Sequence, residues 1–347
     1  MQEAERMDAA FFVGHNELEL SFRFPSPERR LRFAAWRGAP DEWSAAARAR
    51  LAELIALPAV GDAAVTALRT TEQEGVRLEA LVMALPGGLS LPAYVLRPLG
   101  EPTASAVLAI HGHGRVEPAV GQTDDYHHCF ALRLAQAGHL VLCPELRGFG
   151  ALVDLAAGDR GRRLDYWLWR GHKAYSLVTD GLLYGRTMVG DTVADLLRWE
   201  SWLARVHGVE RLDVAGISYG GDLALTYPVF SQRVERIMAS GTLGSFSVIF
   251  DRCYNAPAHA IPGVLQWFDR SDIAGLNAPR PILLHYGELD VPGPGNHSAS
   301  YNETVAPSVE ELRAIYGACG ASGAIALAVT AGAQHEMDIP LLLGFLA

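Results

Sequence analysis

The sequence predicts an α/β fold: a mostly parallel central sheet flanked by helices, with an N-terminal helical extension and two lid-like insertions. Three observations predict it. From residue 105 onward, short continuous apolar runs alternate with helix-length amphipathic ones, the pattern of parallel strands joined by crossover helices. Ahead of them, three strand-like runs follow one another with only turns between. Finally, the pentapeptide Gly216-Ile217-Ser218-Tyr219-Gly220 stands where an apolar strand gives way to a small-residue helix start.

Taken in order, residues 1–60 carry no sheet pattern. Asp41-Glu42-Trp43 opens an Ala-, Arg- and Leu-rich helix that runs to Leu57-Pro58. The segment is expected to be a helical extension ahead of a main domain at 61–347. Strands are predicted at 63–71, 76–84 and 91–97, separated by turns at Gln73-Glu74-Gly75 and Pro86-Gly87-Gly88. The alternation then begins with a strand at 105–110, a helix at 127–136 and a strand at 140–143. A long amphipathic helix at 188–207 carries Val193, Leu196, Leu197 and Leu203 as its apolar stripe. Further strands are predicted at 211–215, 234–241, 281–286 and 325–331.

Insertions at about 150–186 and 244–275 interrupt the alternation. Both leave the carboxyl edge of the sheet, where open α/β sheets place their ligands, and both are rich in aromatic residues. Trp167 and Trp267 are therefore expected to line a substrate pocket together with Gly112, Gly114 and Arg186.

The chain has 347 residues, a net charge of −10 and no basic block, which argues against nucleic acid or an anionic membrane as partner. No stretch is long and apolar enough to span a bilayer, and Met1-Gln2-Glu3-Ala4-Glu5-Arg6 lacks the basic-then-apolar order of a signal peptide. The four cysteines, Cys129, Cys143, Cys253 and Cys319, are widely spaced and require no disulfide. A cytoplasmic protein is expected, and a homodimer is left open.

With 35 glycines the pentapeptide alone is a weak signal; its flanks and companions give it meaning. A serine on so sharp a turn is held out of the backbone, where it can attack an acyl carbon, and glycines on either side prevent collisions with the neighbouring strand and helix. Asp290 follows the apolar run Pro281-Ile282-Leu283-Leu284-His285-Tyr286, with Glu288 and Asp338 as fallback acids. His335 lies in the loop after the last strand-like run. In the order Ser218, Asp290, His335, the histidine can take the serine's proton while the carboxylate fixes its tautomer. An anion site is expected from the Tyr219 N–H and from the turn His111-Gly112-His113-Gly114, where His113 is favoured among residues 112–114 as the donor. Metal binding by His111 and His113 with His127 or His128 is the rival reading of that turn; it lacks a carboxylate or thiolate companion, so no metal is expected.

With these residues in place the sequence resembles the α/β-hydrolase superfamily, and more narrowly its dienelactone-hydrolase-related, acetyl-xylan-esterase-like branch. The resembling stretches are His111-Gly112-His113-Gly114, Arg147-Gly148-Phe149-Gly150, Gly185-Arg186-Thr187 with Asp191 and Asp195, residues 216–221, and residues 272–281. They cover roughly residues 60–347. Dienelactone hydrolases proper carry a cysteine nucleophile where this chain has Ser218. The resemblance implies a serine esterase with no metal or organic cofactor, acting on a small or medium acyl ester through an acyl-enzyme. Acyl transfer, peptide hydrolysis or cleavage of a carbon–carbon bond by the same triad are alternatives, as is a non-catalytic ligand-binding protein on this fold.

Overall fold

A computed structural model describes residues 29–103, 105–152, 174–246, 259–291, 302 and 304–347. Nine strands form one sheet: β1 (Ala64–Gln73), β2 (Val76–Ala84), β3 (Ser90–Pro98), β4 (Ala106–Ile110), β5 (Leu140–Pro144), β6 (Leu212–Ile217), β7 (Val234–Ser240), β8 (Ile282–Gly287) and β9 (Ile325–Thr330). Their spatial order is β1-β2-β3-β5-β4-β6-β7-β8-β9. The first three are antiparallel, β3 meets β5 antiparallel, and every pairing from β5 through β9 is parallel. Strands β4 to β8 are buried from end to end apart from one edge of β7, as expected of strands covered on both faces.

Eight helices accompany the sheet among the described residues: α1 (Pro40–Leu54), α2 (Phe130–Gln136), α3 (Ala174–Leu183), α4 (Met188–His207), α5 (Tyr219–Thr226), α6 (Arg270–Gly275), α7 (Val305–Ala318) and α8 (Ile339–Leu346). None is long and apolar enough to cross a membrane. Helix α4 is bounded as its sequence dictates. Thr187 caps its start by accepting the Gly190 N–H at 2.9 Å, and Gly208, at φ 68°, ends it in the left-handed conformation that glycine adopts without strain.

One sequence expectation changes here. The helix expected at 127–136 begins only at Phe130, because His128 and Cys129 take φ 50° and 53°. A helix cannot continue through left-handed residues, and the chain turns there instead. The N-terminal helix, for its part, packs into the body of the fold. Trp43, Ala47, Leu51 and Ile55 belong to the same apolar cluster as Val214, Leu223 and Leu284. The Ile55 carbonyl also accepts the Thr187 hydroxyl at 2.6 Å, and Gly190 has no room for a Cβ beside that carbonyl.

The turn between β6 and α5 depends on equally close approaches. A Cβ on Gly220 would overlap the backbone carbonyl oxygens of Ile110 and His111, and one on Gly216 would overlap that of Gly220. Backbone cannot yield as a flexible side chain can, so a Gly220→Ala variant is expected to lose about 1–3 kcal/mol, the usual range for overpacking. Ile110 and His111 lead into the turn His111-Gly112-His113-Gly114, so the same variant should displace that turn as well. Thermal denaturation beside wild type checks the first expectation; an unchanged melting temperature would contradict it.

A second expectation concerns Asp272 on α6, which is 2 % exposed and accepts the N–H groups of Phe33 and Asp269 at 2.9 and 2.8 Å. Burial pushes its carboxyl up to about 6, outweighing those two hydrogen bonds. Between that value and the ordinary aspartate value, the folded state holds a proton that the unfolded chain has released. Stability from this group therefore grows as the pH falls through that window and is lost as the pH rises past about 6. Two pKa units correspond to about 3 kcal/mol. Urea unfolding at pH 6.5 and 4.5 should show Asp272→Asn lacking that gain, and equal slopes for the two proteins would contradict it.

Candidate active site

Strand β6 is buried along its length, and Ser218 follows it at φ 58°, ψ −123°. Only glycine adopts that conformation freely, so a serine there stores backbone strain, commonly about 1–3 kcal/mol. The strain is maintained by its surroundings: the Ser218 N–H donates to the Ser240 carbonyl at the end of β7 at 2.8 Å, and its own carbonyl accepts from Asp222. Tyr219 is the first residue of α5, where the N–H has no partner within the helix.

Asp290 follows β8 and is 1 % exposed. Its Oδ2 lies 2.8 Å from His335 Nδ1, which places the ring proton on Nδ1 and leaves the Nε2 lone pair available. Nε2 is buried and meets no hydrogen-bond partner among the described residues. Gly241, at φ 62°, sits directly against this pair: a Cβ there would lie 2.5 Å from His335 Cε1 and 3.5 Å from Asp290 Oδ2. Because Gly241 follows Ser240, which holds Ser218, the ends of β6, β7 and β8 and the loop after β9 converge. Of the fallback acids, Glu288 accepts the Gly332 N–H and Asp338 caps α8 by accepting from Leu341, so neither carboxylate is hydrogen-bonded to His335.

The turn His111-Gly112-His113-Gly114, expected to offer the anion site, follows β4. Gly112 backs onto Ser218, since a Cβ there would lie 3.0 Å from that of the serine. Its N–H donates to His127 Nε2 at 2.8 Å, so it is engaged within the turn, which leaves residues 113 and 114 as the turn's candidate donors. Gly114 holds φ 117° with open space around it. The His113 carbonyl accepts the Tyr126 hydroxyl at 2.8 Å, and burial raises that phenol above its ordinary value. The His113 ring lies 5.6 Å from the His259 ring, 5.6 Å from Tyr219 and 5.4 Å from Phe149. The histidines weighed as metal ligands have separate tasks: His111 and His127 bind backbone, and His128 pairs with Glu336 at 2.8 Å.

Arg186 is not brought into this arrangement. It is half exposed and paired with Asp191, beside Arg147, which grips Asp195 through two nitrogens at 2.5 and 3.0 Å. Trp267 is likewise elsewhere, with the guanidinium groups of Arg30 and Arg50 lying 5.0 and 3.9 Å from its ring centre. Trp167 lies outside the described residues. A buried cluster on α5, in which Asp222 meets Arg270, His259 and Thr242, has no signature in the sequence. With Tyr219, Val189 and Phe246 it borders a cavity of about 30 Å³. His259 and Asp222 are 37 residues apart in the chain, so only folding reveals their contact.

No protein-family model matches the chain. A Bacillus subtilis (strain 168) protein named "Putative hydrolase YtaP" is 27% identical over 288 residues, which is 79% of this chain and 88% of that one. The crystal structure titled "putative acetyl xylan esterase" from Bacteroides fragilis NCTC 9343 superposes with a TM-score of 0.69 at 19% identity, covering 90% of this chain and 81% of the other. A CE15 glucuronoyl esterase from Teredinibacter turnerae T7901 reaches a TM-score of 0.60 at 14% identity, covering 93% and 89%. Sheet order, elbow and superposition agree: the chain has the α/β-hydrolase fold.

Proposed function

We propose that this protein is a serine carboxylic-ester hydrolase acting on small or medium acyl esters. The observation that carries the reading is the pairing of buried Asp290 with His335 Nδ1 beside a serine held at positive φ on the elbow. Ser218 Oγ attacks the ester carbonyl while His335 Nε2 takes its proton. The N–H groups of Tyr219 and of the 113–114 segment receive the developing oxyanion. His335 then delivers the proton to the leaving alcohol, and water, activated by the same nitrogen, releases the acid from the acyl-enzyme. The names of the structural neighbours, an acetyl xylan esterase and a glucuronoyl esterase, support ester cleavage.

The test is turnover of p-nitrophenyl esters from acetate to octanoate, wild type beside Ser218→Ala. Serine-dependent hydrolysis peaking at the short esters is expected. Equal turnover in both proteins would overturn the reading.

A further inference from the structure

We infer that Asp125 and His127 form a second, non-reacting carboxylate–imidazole pair whose work is to hold the oxyanion turn in its active shape. The inference rests on the esterase reading above and concerns positioning residues, since neither group reaches the reacting atoms.

The hydrogen bonds to Gly112 assign the protons that face it. The Gly112 N–H can only donate, so His127 Nε2 must present a lone pair. His127 Nδ1 then carries the hydrogen and gives it to Asp125 Oδ1 at 2.6 Å, and the same oxygen accepts the His127 backbone N–H at 2.9 Å. On the other side of the same residue, the Gly112 carbonyl can only accept, so His111 Nδ1 donates to it at 2.7 Å. His111 Nε2 in turn accepts the Leu146 N–H at 3.1 Å, with Glu145 Oε1 3.0 Å away. Gly112 is thus gripped through its N–H and its carbonyl by two imidazoles that are both 0 % exposed. Gly112 is buried against Ser218, and each bond it left unmade there would cost about 1–3 kcal/mol.

The pair has a specific chemical requirement. A neutral imidazole can place its proton on either nitrogen, and only the Nδ1–H form accepts from Gly112. Asp125 selects that form, as Asp290 does for His335. Groups facing His127 are Tyr126, whose ring centre is 4.1 Å away, Phe130 and His111 at 6.3 Å, and the more distant His335. Burial holds the His127 imidazole below its ordinary value despite the opposing pull of Asp125, which keeps it neutral. If it were protonated, two N–H groups would face each other at Gly112, and the turn would move away from Ser218.

The experiment compares kcat and KM for p-nitrophenyl acetate in wild type, His127→Leu, His127→Gln and Asp125→Ala. Glutamine can offer an amide oxygen near the place of Nε2; leucine cannot. Loss of one oxyanion donor costs about 10²–10³-fold in kcat, and His127→Leu should approach that with KM changed little. His127→Gln should recover at least tenfold of the loss, and Asp125→Ala should fall between them. Leucine and glutamine variants that match wild type, or that are equally impaired, would overturn the inference. Side-chain ¹⁵N NMR of the wild-type and Asp125→Ala proteins gives a readout independent of turnover. His127 should be a neutral Nδ1–H imidazole in the first and lose that preference in the second. The opposite tautomer in wild type would overturn the inference even if the protein hydrolyses esters. The expected tautomer in a protein without ester turnover would instead leave the brace standing and remove the esterase reading.

Discussion

Replacing Ser218 by alanine is expected to lower kcat on p-nitrophenyl acetate by about 10⁴–10⁶-fold, the scale on which triad nucleophiles fail when removed. The residual rate should reflect only binding and the anion turn. The same position offers a sharper comparison, because its backbone is strained at φ 58°. Ser218→Gly removes both the nucleophile and the strain, so it should be as inactive as the alanine variant yet more stable than wild type by about 1 kcal/mol. Glycine's greater freedom in the unfolded chain works against that gain and bounds it. Chemical denaturation of the three proteins measures the difference. A glycine variant less stable than the alanine one would mean that the elbow's conformation is not the source of strain inferred above.

Asp290→Asn is expected to reduce kcat by about 10³–10⁴-fold with KM nearly unchanged. The carboxylate accepts from His335 Nδ1 at 2.8 Å in a site 1 % exposed, so nothing from solvent can replace it. An asparagine that turns its NH₂ toward Nδ1 forces the ring proton onto Nε2, which then cannot accept the serine's proton. One that turns its oxygen keeps the tautomer but no longer stabilises the imidazolium formed during attack. The other carboxylates near the loop, Glu288, Glu336 and Asp338, are engaged at Gly332, His128 and Leu341 and offer no substitute. Steady-state kinetics with circular dichroism as the folding control decides the matter; a loss under tenfold would remove Asp290 from the mechanism.

Much of this arrangement was legible in the sequence because it is written in local patterns. β2 spans residues 76–84 and α4 spans 188–207, as their periodicity predicts. Ser218, Asp290 and His335 are each announced by the apolar strand before them. Other features depended on distant or backbone partners. Asp125 and His127 stand close together in the chain, but their purpose lies in a backbone N–H fifteen residues earlier. The expected helix start at residue 127 failed because propensity says little about two consecutive left-handed residues. Trp267 shows a related limit: an aromatic residue announces burial or stacking without naming its partner, and here the partners are arginines of the N-terminal segment.

The seating of α1 on α4 carries an evolutionary corollary. The Ile55 carbonyl occupies the space that a side chain at residue 190 would need. A descendant that lost the first helix would be released from glycine at that position, whereas one that keeps it would not. Drift at residue 190 and retention of the N-terminal helix are therefore linked traits, and the first would mark, in a lineage, the departure of the second.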